Sequence, residues 1–308
     1  MNQEFSIDNF REQTAWDWRI AFYLFLSGAS GGLIFVEIVL RIFDVIGNST
    51  AILGAWIGLG LATLSLFVLF THLGAGRARW RAFYVFLNIR HSWISRGATI
   101  VTILMGLRFM FILPEIWHDL PWGEGTLAGS FLRGAIMLFA LAFMAYSGLV
   151  LSWWKSIPFW NTFLLPVVCI GYSFLCGAAA LPIIIIIVEG IDGLESTGSV
   201  LWPLLLVLII INGLALFAYI KSKSSDDIAA QESIRRLTQG NSKRPWWIGV
   251  ILIGLIVPLI IVSLASLNLI GSSDFASYVL ITACGCIILG GYLLRYCVLR
   301  VGIYAKFI

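Results

Sequence analysis

Side chains that can form hydrogen bonds or transfer protons lie at the ends of apolar stretches in the first half of the chain. His72 ends one stretch, Arg96 opens the next, and Tyr146 lies close to the end of a third. Asp17 and Trp18 stand where the first stretch begins. An imidazole changes its charge near neutral pH, and the carboxylate, guanidinium and phenol add acceptors and donors. Together these residue types can hold a polar ligand and exchange protons with it.

The stretches that carry these residues have the length of membrane-spanning helices. Of the 308 residues, 60% are hydrophobic and 12% are charged, whereas soluble domains have about 25% charged residues. Crossing a bilayer takes roughly 20 apolar residues in a helix. Eight segments qualify: about 18–43, 52–74, 93–113, 131–153, 160–188, 197–220, 246–270 and 274–299. Their apolar runs are continuous rather than alternating, so we expect an all-α membrane protein with eight transmembrane helices.

The chain divides most naturally at the short connection around 153–160. Its sequence, SWWKSIPFW, contains three tryptophans of the kind that anchor helices at a membrane surface. The first segment (LSGASGGLIF) and the fifth (YSFLCGAAALP) share a stripe of small residues. This stripe indicates either two related halves or ordinary close packing of helices. We predict two four-helix bundles, residues 1–154 and 155–308.

The charges of the connections predict how the chain is oriented. Lys and Arg are concentrated in 75–92, in 221–245 and in the C-terminal tail, whereas 114–130, 189–196 and 271–273 contain neither. The positive-inside rule then places both termini in the cytoplasm. The first 17 residues include four acidic ones, which is the wrong charge for a cleavable signal peptide. The net charge of +4 is too small and too scattered to indicate binding to nucleic acid.

On this topology, the first four segments bring the polar residues towards one leaflet. Tyr146 would lie roughly 10–13 Å below the surface, at 1.5 Å per residue. Such a set can hydrogen-bond a ligand that has an oxygen at each end, and a quinone fits this description. Simpler roles exist: His72 as a helix cap, Arg96 as a cation reaching for lipid phosphate, Tyr146 as a core aromatic and Asp17 as a helix-terminal charge.

Three further charges lie nearer the opposite face. Glu37 is late in the first segment, Arg108 is late in the third, and Arg133 is early in the fourth. Charged residues within a span are candidates for function by default. Glu37 paired with Arg108 or Arg133 would form either a proton path or a structural ion pair.

The sequence argues against a metal cofactor held by this chain. All five cysteines lie in apolar segments, without Cys-x-x-Cys or a ferredoxin-like spacing, so we expect no iron–sulfur cluster. Of the three histidines, His91 and His118 lie in connections rather than at matched depths in two helices. We therefore expect neither a haem nor another metal site.

Three blocks of sequence resemble a family of membrane subunits. They are WDWRIAFYLFLSGASGGL, the THLG block that continues with RARWRAF and SWISRG, and AYSGLVLSWWKSIPFWNTFLLPVV. These blocks are similar to the NrfD/polysulfide reductase family and, more distantly, to the dimethyl sulfoxide reductase anchor. The resemblance covers nearly the whole chain, in the expected order. It implies a multi-pass protein of the bacterial or archaeal cytoplasmic membrane.

The resemblance also implies a function. It places a menaquinone or ubiquinone site in the first bundle, beneath a docked iron–sulfur subunit that usually links to a molybdopterin catalytic subunit. It maps the quinone pocket to Asp17, His72 and Tyr146, and it gives Arg96 the polar position that follows the SW-S block. Well-known members dock their partners outside the cytoplasmic membrane, whereas the loop charges here place the pocket face inside.

We therefore expect a quinone-binding anchor that exchanges electrons with its partners and catalyses nothing alone. His72, Arg96, Tyr146, Asp17 and Trp18 would form the quinone site. The alternative is a secondary transporter, which the related halves and the proline-interrupted fifth and sixth segments would suit. A transporter would place its polar residues at the midplane of the bilayer rather than near one face.

Overall fold

The computed structural model describes residues 11–73, 84–117, 120–123, 125–267, 269 and 274–305. Within these residues the regular structure is helical, and the only β-type pairing is a bridge between Glu12 and Ile303. The helices are α1 (Trp18–Ile42), α2 (Asn48–Leu73), α3 (Trp93–Ile112), α4 (Leu127–Ser152), α5 (Leu164–Ser224), α6 (Ile228–Thr238), α7 (Pro245–Ser266) and α8 (Asp274–Arg300). The first part of α7, Pro245–Ile256, is a π-helix. A 3₁₀ turn, Leu113–Glu115, follows α3. The prediction of an all-α protein is confirmed for this part of the chain.

Seven of these helices are long and apolar enough to cross a membrane, and α6 is the exception. The helix α1 is the most enclosed, because 83% of its most apolar window is buried. It packs against α2, α4, α5 and α8. Glycines make these approaches possible: a side chain at Gly32 would meet the backbone of Ser173 in α5, and one at Gly31 would meet Met144 in α4.

The 61-residue helix α5 folds back on itself at Gly190. Gly190 has φ 73° and ψ −160°, a backbone conformation that favours glycine, and it is the one non-helical residue in α5. Its two arms lie side by side, because Tyr219 Oη donates to Phe159 O at 2.8 Å and Lys223 Nζ donates to Asn161 O at 3.1 Å. The two ends of α5 therefore lie at the same face of the protein.

This organisation corrects the predicted connection between the fifth and sixth segments. The sequence predicted separate spans at 160–188 and 197–220 with a loop at 189–196, but the structure continues the helix through that loop apart from Gly190. A single residue with positive φ is enough to reverse the direction. The structure does not test the predicted division into residues 1–154 and 155–308, which stays a prediction.

The N-terminal segment and the chain beyond α8 are joined at one face. Gln13 N donates to Gly302 O, and Tyr304 N donates to Arg11 O, both at 3.1 Å. The side chain of Trp160 is buried beside them and donates from Nε1 to Val298 O at 2.9 Å. Asp17, the end of α2 and the start of α3 belong to this same face, which we call the termini face.

Candidate functional site

A small cavity lies between α1, α2, α3 and α4 near the termini face. Its volume is ≈ 50 Å³, and it is lined by Trp16, Ile20, Tyr23, Leu24, Leu69, His72, Ile94, Tyr146 and Val150. Local capping fixes two of these helix ends. Asp17 accepts a hydrogen bond from Arg19 N at 2.9 Å at the start of α1, and Ser92 Oγ accepts one from Ser95 N at 3.3 Å at the start of α3.

Two tyrosines provide the polar groups at the inner end of the cavity. Tyr23 and Tyr146 are each only 2% exposed, and their ring centroids lie 6.3 Å apart with the planes at 65°. Within the described part of the chain, the two hydroxyls face each other and neither has another hydrogen-bond partner. Leaving a buried hydroxyl without a partner costs about 1–3 kcal/mol. The two phenols are therefore suited to donate to a ligand in the cavity.

His72 and Asp17 connect the cavity to the aqueous side. His72 Nδ1 lies 3.6 Å from Asp17 Oδ1, and the two side chains are 25% and 40% exposed. Asp17 Oδ2 also lies 3.7 Å from Arg19 Nε. Because the imidazole lines the cavity and also faces an exposed carboxylate, it can accept a proton on one side and release it on the other.

Three of the predicted quinone-site residues, Asp17, Trp18 and Arg96, lie outside this cavity lining. Arg96 donates from Nε to Ile89 O at 3.1 Å and from Nη2 to Arg90 O at 2.9 Å, and its guanidinium stacks 4.7 Å from the centre of the Trp93 ring. It thereby holds the segment before α3. Trp18 is 57% exposed and lies beside Arg19.

Trp16 and Tyr23 line the cavity but were not among the predicted site residues. Trp16 packs against Trp154 and Trp160, with ring centroids 5.8 and 5.5 Å apart. Tyr23 could have been identified from the sequence. Its hydroxyl is the first polar side-chain group after Arg19, and the other residues up to Ser27 are apolar. The sequence did not reveal which side of this apolar helix faces α4.

The second predicted group is only partly brought together. Glu37 and Arg108 form an ion pair with both side chains fully buried between α1 and α3. Arg133 instead contacts Ser130 at 3.4 Å and lines a cleft of ≈ 660 Å³ with Arg41 and Asp44. Of the two arginines that the sequence offered as partners, Glu37 therefore pairs with Arg108. Arg133 lies closer to the aqueous boundary.

Arg295 is a further buried cation that connects α8 to α5. It is 2% exposed and donates to Gly291 O at 3.0 Å, to Ser173 Oγ at 3.1 Å and to Cys169 O at 3.3 Å. In the part of the chain that the structure describes, it has no carboxylate partner. Its contacts with carbonyl and hydroxyl groups make it a link between these helices.

The described residues contain no group of three or more His, Cys, Asp or Glu side chains placed to hold a metal ion. His118, which the sequence assigned to a connection, lies outside the described residues. His91 is exposed in the segment before α3.

Comparison with known proteins identifies relatives over nearly the full length. The family described as "Polysulphide reductase, NrfD" matches residues 7–305. Protein NrfD of Escherichia coli (strain K12) is 27% identical over 323 aligned residues, which cover 94% of this chain and 96% of that protein. The predicted resemblance is confirmed, and the chain belongs to the NrfD/polysulphide reductase family.

Proposed function

We propose that this protein is the quinone-reactive membrane anchor of a respiratory oxidoreductase complex. It would exchange electrons between menaquinone or ubiquinone and a docked iron–sulfur subunit, which in turn serves a molybdopterin catalytic subunit. The observation that carries the proposal is the cavity below the termini face, where His72 and two buried phenol hydroxyls converge. Membership of the family supports the same assignment.

The residues of the cavity fit a quinone head group. In the described part of the chain, the Tyr23 and Tyr146 hydroxyls have only each other as polar partners, and the remaining lining is mostly apolar, as a flat ring requires. A bound quinone would supply two-electron, two-proton redox chemistry. The cavity of ≈ 50 Å³ is smaller than such a ring. Admission of the ring therefore requires movement of the half-buried side chains at its outer end, Trp16 and His72.

The proton path would run through the residues at the termini face. His72 would exchange a proton with the bound ligand and pass it to Asp17, which is 3.6 Å away and 40% exposed. Tyr146 and Tyr23 would hold the ligand oxygens by donating hydrogen bonds. The buried Glu37–Arg108 pair and Arg133 would offer a second path towards the opposite face. Arg96 and Trp18 would shape the entrance rather than the inner wall.

We also infer eight crossings, with both termini in the cytoplasm. The fold-back of α5 at Gly190 supports this number, because it adds one crossing to seven candidate helices. The pairing of residues 11–13 with 302–304 supports an even number of crossings. The basic connections support the cytoplasmic side for the termini face.

The test is the replacement of His72 in the purified complex. We expect His72→Ala to abolish quinol oxidation while activity with an artificial dye, which bypasses this site, is retained. His91→Ala is the matched control, because His91 is exposed near the same face and does not line the cavity. Unchanged quinol turnover in His72→Ala would overturn the proposal. A chain that purifies colourless and alone would instead favour the transporter.

A further inference from the structure

A second cleft at the termini face lies between α6 and the C-terminal end of α8. Its volume is ≈ 660 Å³. Its polar lining includes Arg235, Arg236, Gln239, Asn241, Ser242 and Arg300. It is separate from the quinone site proposed above, because the two cavities share no lining residue. We call it the arginine cleft.

Two glutamates fix the arginines of α6 in place. Glu232 accepts hydrogen bonds from Arg235 Nε at 2.6 Å, from Arg235 Nη2 at 2.9 Å and from Arg236 Nε at 3.0 Å. Arg236 also pairs with Glu12 of the N-terminal segment. Hydrogen bonds from Arg235 and then Arg236 hold the pKa of the Glu232 carboxyl below its usual range. The guanidinium groups are thus preorganised at the wall of the cleft.

Donors remain available for a ligand. The side chain of Arg235 is 52% exposed, and within the described residues its Nη1 has no acceptor. Arg300 donates to Tyr296 Oη at 2.8 Å and, in the same described part, pairs with no carboxylate. Three arginines against two glutamates leave a surplus positive charge in the lining. Guanidinium groups with amide and hydroxyl neighbours are suited to a phosphate.

The cleft lies where the apolar surface of the protein begins. Trp247, 49% exposed, donates from Nε1 to Thr238 O at 3.2 Å and so ties the start of α7 to the end of α6. Tryptophans are enriched at the membrane–water interface. Below Trp247, α7 carries exposed Ile248, Leu252 and Ile256 at intervals of four residues. A molecule with a phosphate head and acyl chains could contact both the arginines and this row.

We propose that the arginine cleft binds the phosphate headgroup of an anionic phospholipid, with the acyl chains along α7. Basic pockets at the membrane surface bind such headgroups, and each Arg near the surface contributes about 1 kcal/mol of attraction. The apolar row below Trp247, which is hydrogen-bonded to the end of α6, favours a lipid over an acidic segment of a partner protein, which needs no such surface. The site goes beyond the proposed quinone chemistry and does not depend on it.

The test measures quenching of tryptophan fluorescence by brominated phosphatidylglycerol and brominated phosphatidylcholine, using the purified full chain in detergent. We expect the wild-type chain to prefer phosphatidylglycerol, and Arg235→Gln/Arg300→Gln to lower its affinity for that lipid by roughly 10- to 30-fold. Lys155→Gln is the matched control, because Lys155 is exposed at the same face and does not line the cleft. This control should leave the preference unchanged.

Two further arms separate the alternatives. If the wild-type chain bound the two lipids equally, the proposal would be overturned. It would also be overturned if Lys155→Gln and the double variant lost the same affinity for phosphatidylglycerol, because the attraction would then come from the overall positive charge of this face and not from the cleft. Full competition by millimolar inorganic phosphate, without a preference for phosphatidylglycerol, would assign the cleft to free phosphate and would also overturn it. A double variant that keeps its lipid preference but loses a partner subunit would overturn it as well, because the cleft would then bind protein. Unchanged thermal unfolding of the double variant would confirm that the fold is intact.

Discussion

Gly97 in α3 controls the position of the Tyr146 ring. A Cβ atom added at Gly97 would overlap that ring, whereas one added at Gly106 of the same helix would meet nothing within 4 Å. We expect Gly97→Ala to destabilise the protein by about 1–3 kcal/mol, the usual cost of overpacking. It should also lower quinol turnover, because a ring that lines the cavity would be displaced. Thermal unfolding and quinol oxidation measure the two effects.

Gly106→Ala is the control for this substitution. It adds the same methyl group to the same helix but leaves Tyr146 untouched, so turnover should match that of the wild-type protein and stability should not fall, because alanine favours a helix over glycine. Equal turnover in Gly97→Ala and Gly106→Ala would mean that the position of the Tyr146 ring does not matter for quinol oxidation.

The Glu37–Arg108 pair should behave as a buried ion pair in which each partner needs the other. Both side chains are fully buried. We expect Arg108→Met to cost about 3–5 kcal/mol, because it leaves a buried carboxylate without its cation. The double variant Glu37→Met/Arg108→Met should recover much of that loss. A thermal-unfolding double-mutant cycle measures the coupling, and additive losses would contradict the interpretation.

Residue types and helix ends were sufficient to predict part of the candidate site. His72 and Tyr146 both line the cavity, as expected from their depth near one face, and Asp17 faces His72. The direction of Arg96 was not predictable, because it depends on the carbonyl groups of Ile89 and Arg90 in a connection with no sequence signal for its conformation.

At the scale of single elements, α6 is a surface helix that is held by ion pairs as well as by its buried Leu237. Glu232 binds Arg235 and Arg236, and Arg236 binds Glu12. The lowered pKa of Glu232 means that these contacts stabilise the fold fully above the carboxyl's ordinary pKa of about 4.3. This stabilisation is lost as the pH falls through the lowered pKa of the folded protein.

We therefore expect acidification to loosen α6 before it unfolds the spans. Hydrogen exchange, corrected for the intrinsic effect of pH, should show reduced protection of residues 228–238 below about pH 4. Glu232→Gln should show low protection of α6 at neutral pH and little further change on acidification. Protection of the wild-type helix that stays at its pH 7 level until the spans themselves unfold in acid would contradict this role of the carboxylate.

The lengths of the apolar segments were sufficient to predict which parts of the chain are helical. They were not sufficient to predict how the two arms of α5 are connected. The polar stretch from Glu189 to Ser196 was expected to be a loop, yet all of it except Gly190 is helical. Apolar runs specify where a chain can be helical in a membrane. They do not specify that one glycine with φ 73° can reverse the direction within so short a distance.

At the scale of the whole molecule, the fold-back of α5 predicts which residues share a face. Lys155 and Lys221 flank the two ends of α5 at the termini face, where Tyr219 reaches Phe159. Asp192 follows the turn at Gly190 and is exposed, as is Ser130 at the start of α4. The short separation of Thr50 and Glu189 side chains places that turn beside the start of α2, at the face opposite the termini.

Single cysteines at these four positions would test the arrangement. In a variant whose five native cysteines are replaced, a membrane-impermeant maleimide should label Lys155→Cys and Lys221→Cys only in inverted vesicles, if the termini face is cytoplasmic. Asp192→Cys and Ser130→Cys should be labelled only in right-side-out vesicles. If all four cysteines were labelled from the side opposite to the one expected, the predicted orientation would be wrong, but the fold-back of α5 would still hold. Labelling of Asp192→Cys from the same side as Lys221→Cys would mean that α5 does not cross the membrane twice, because the second arm would then begin and end at one surface.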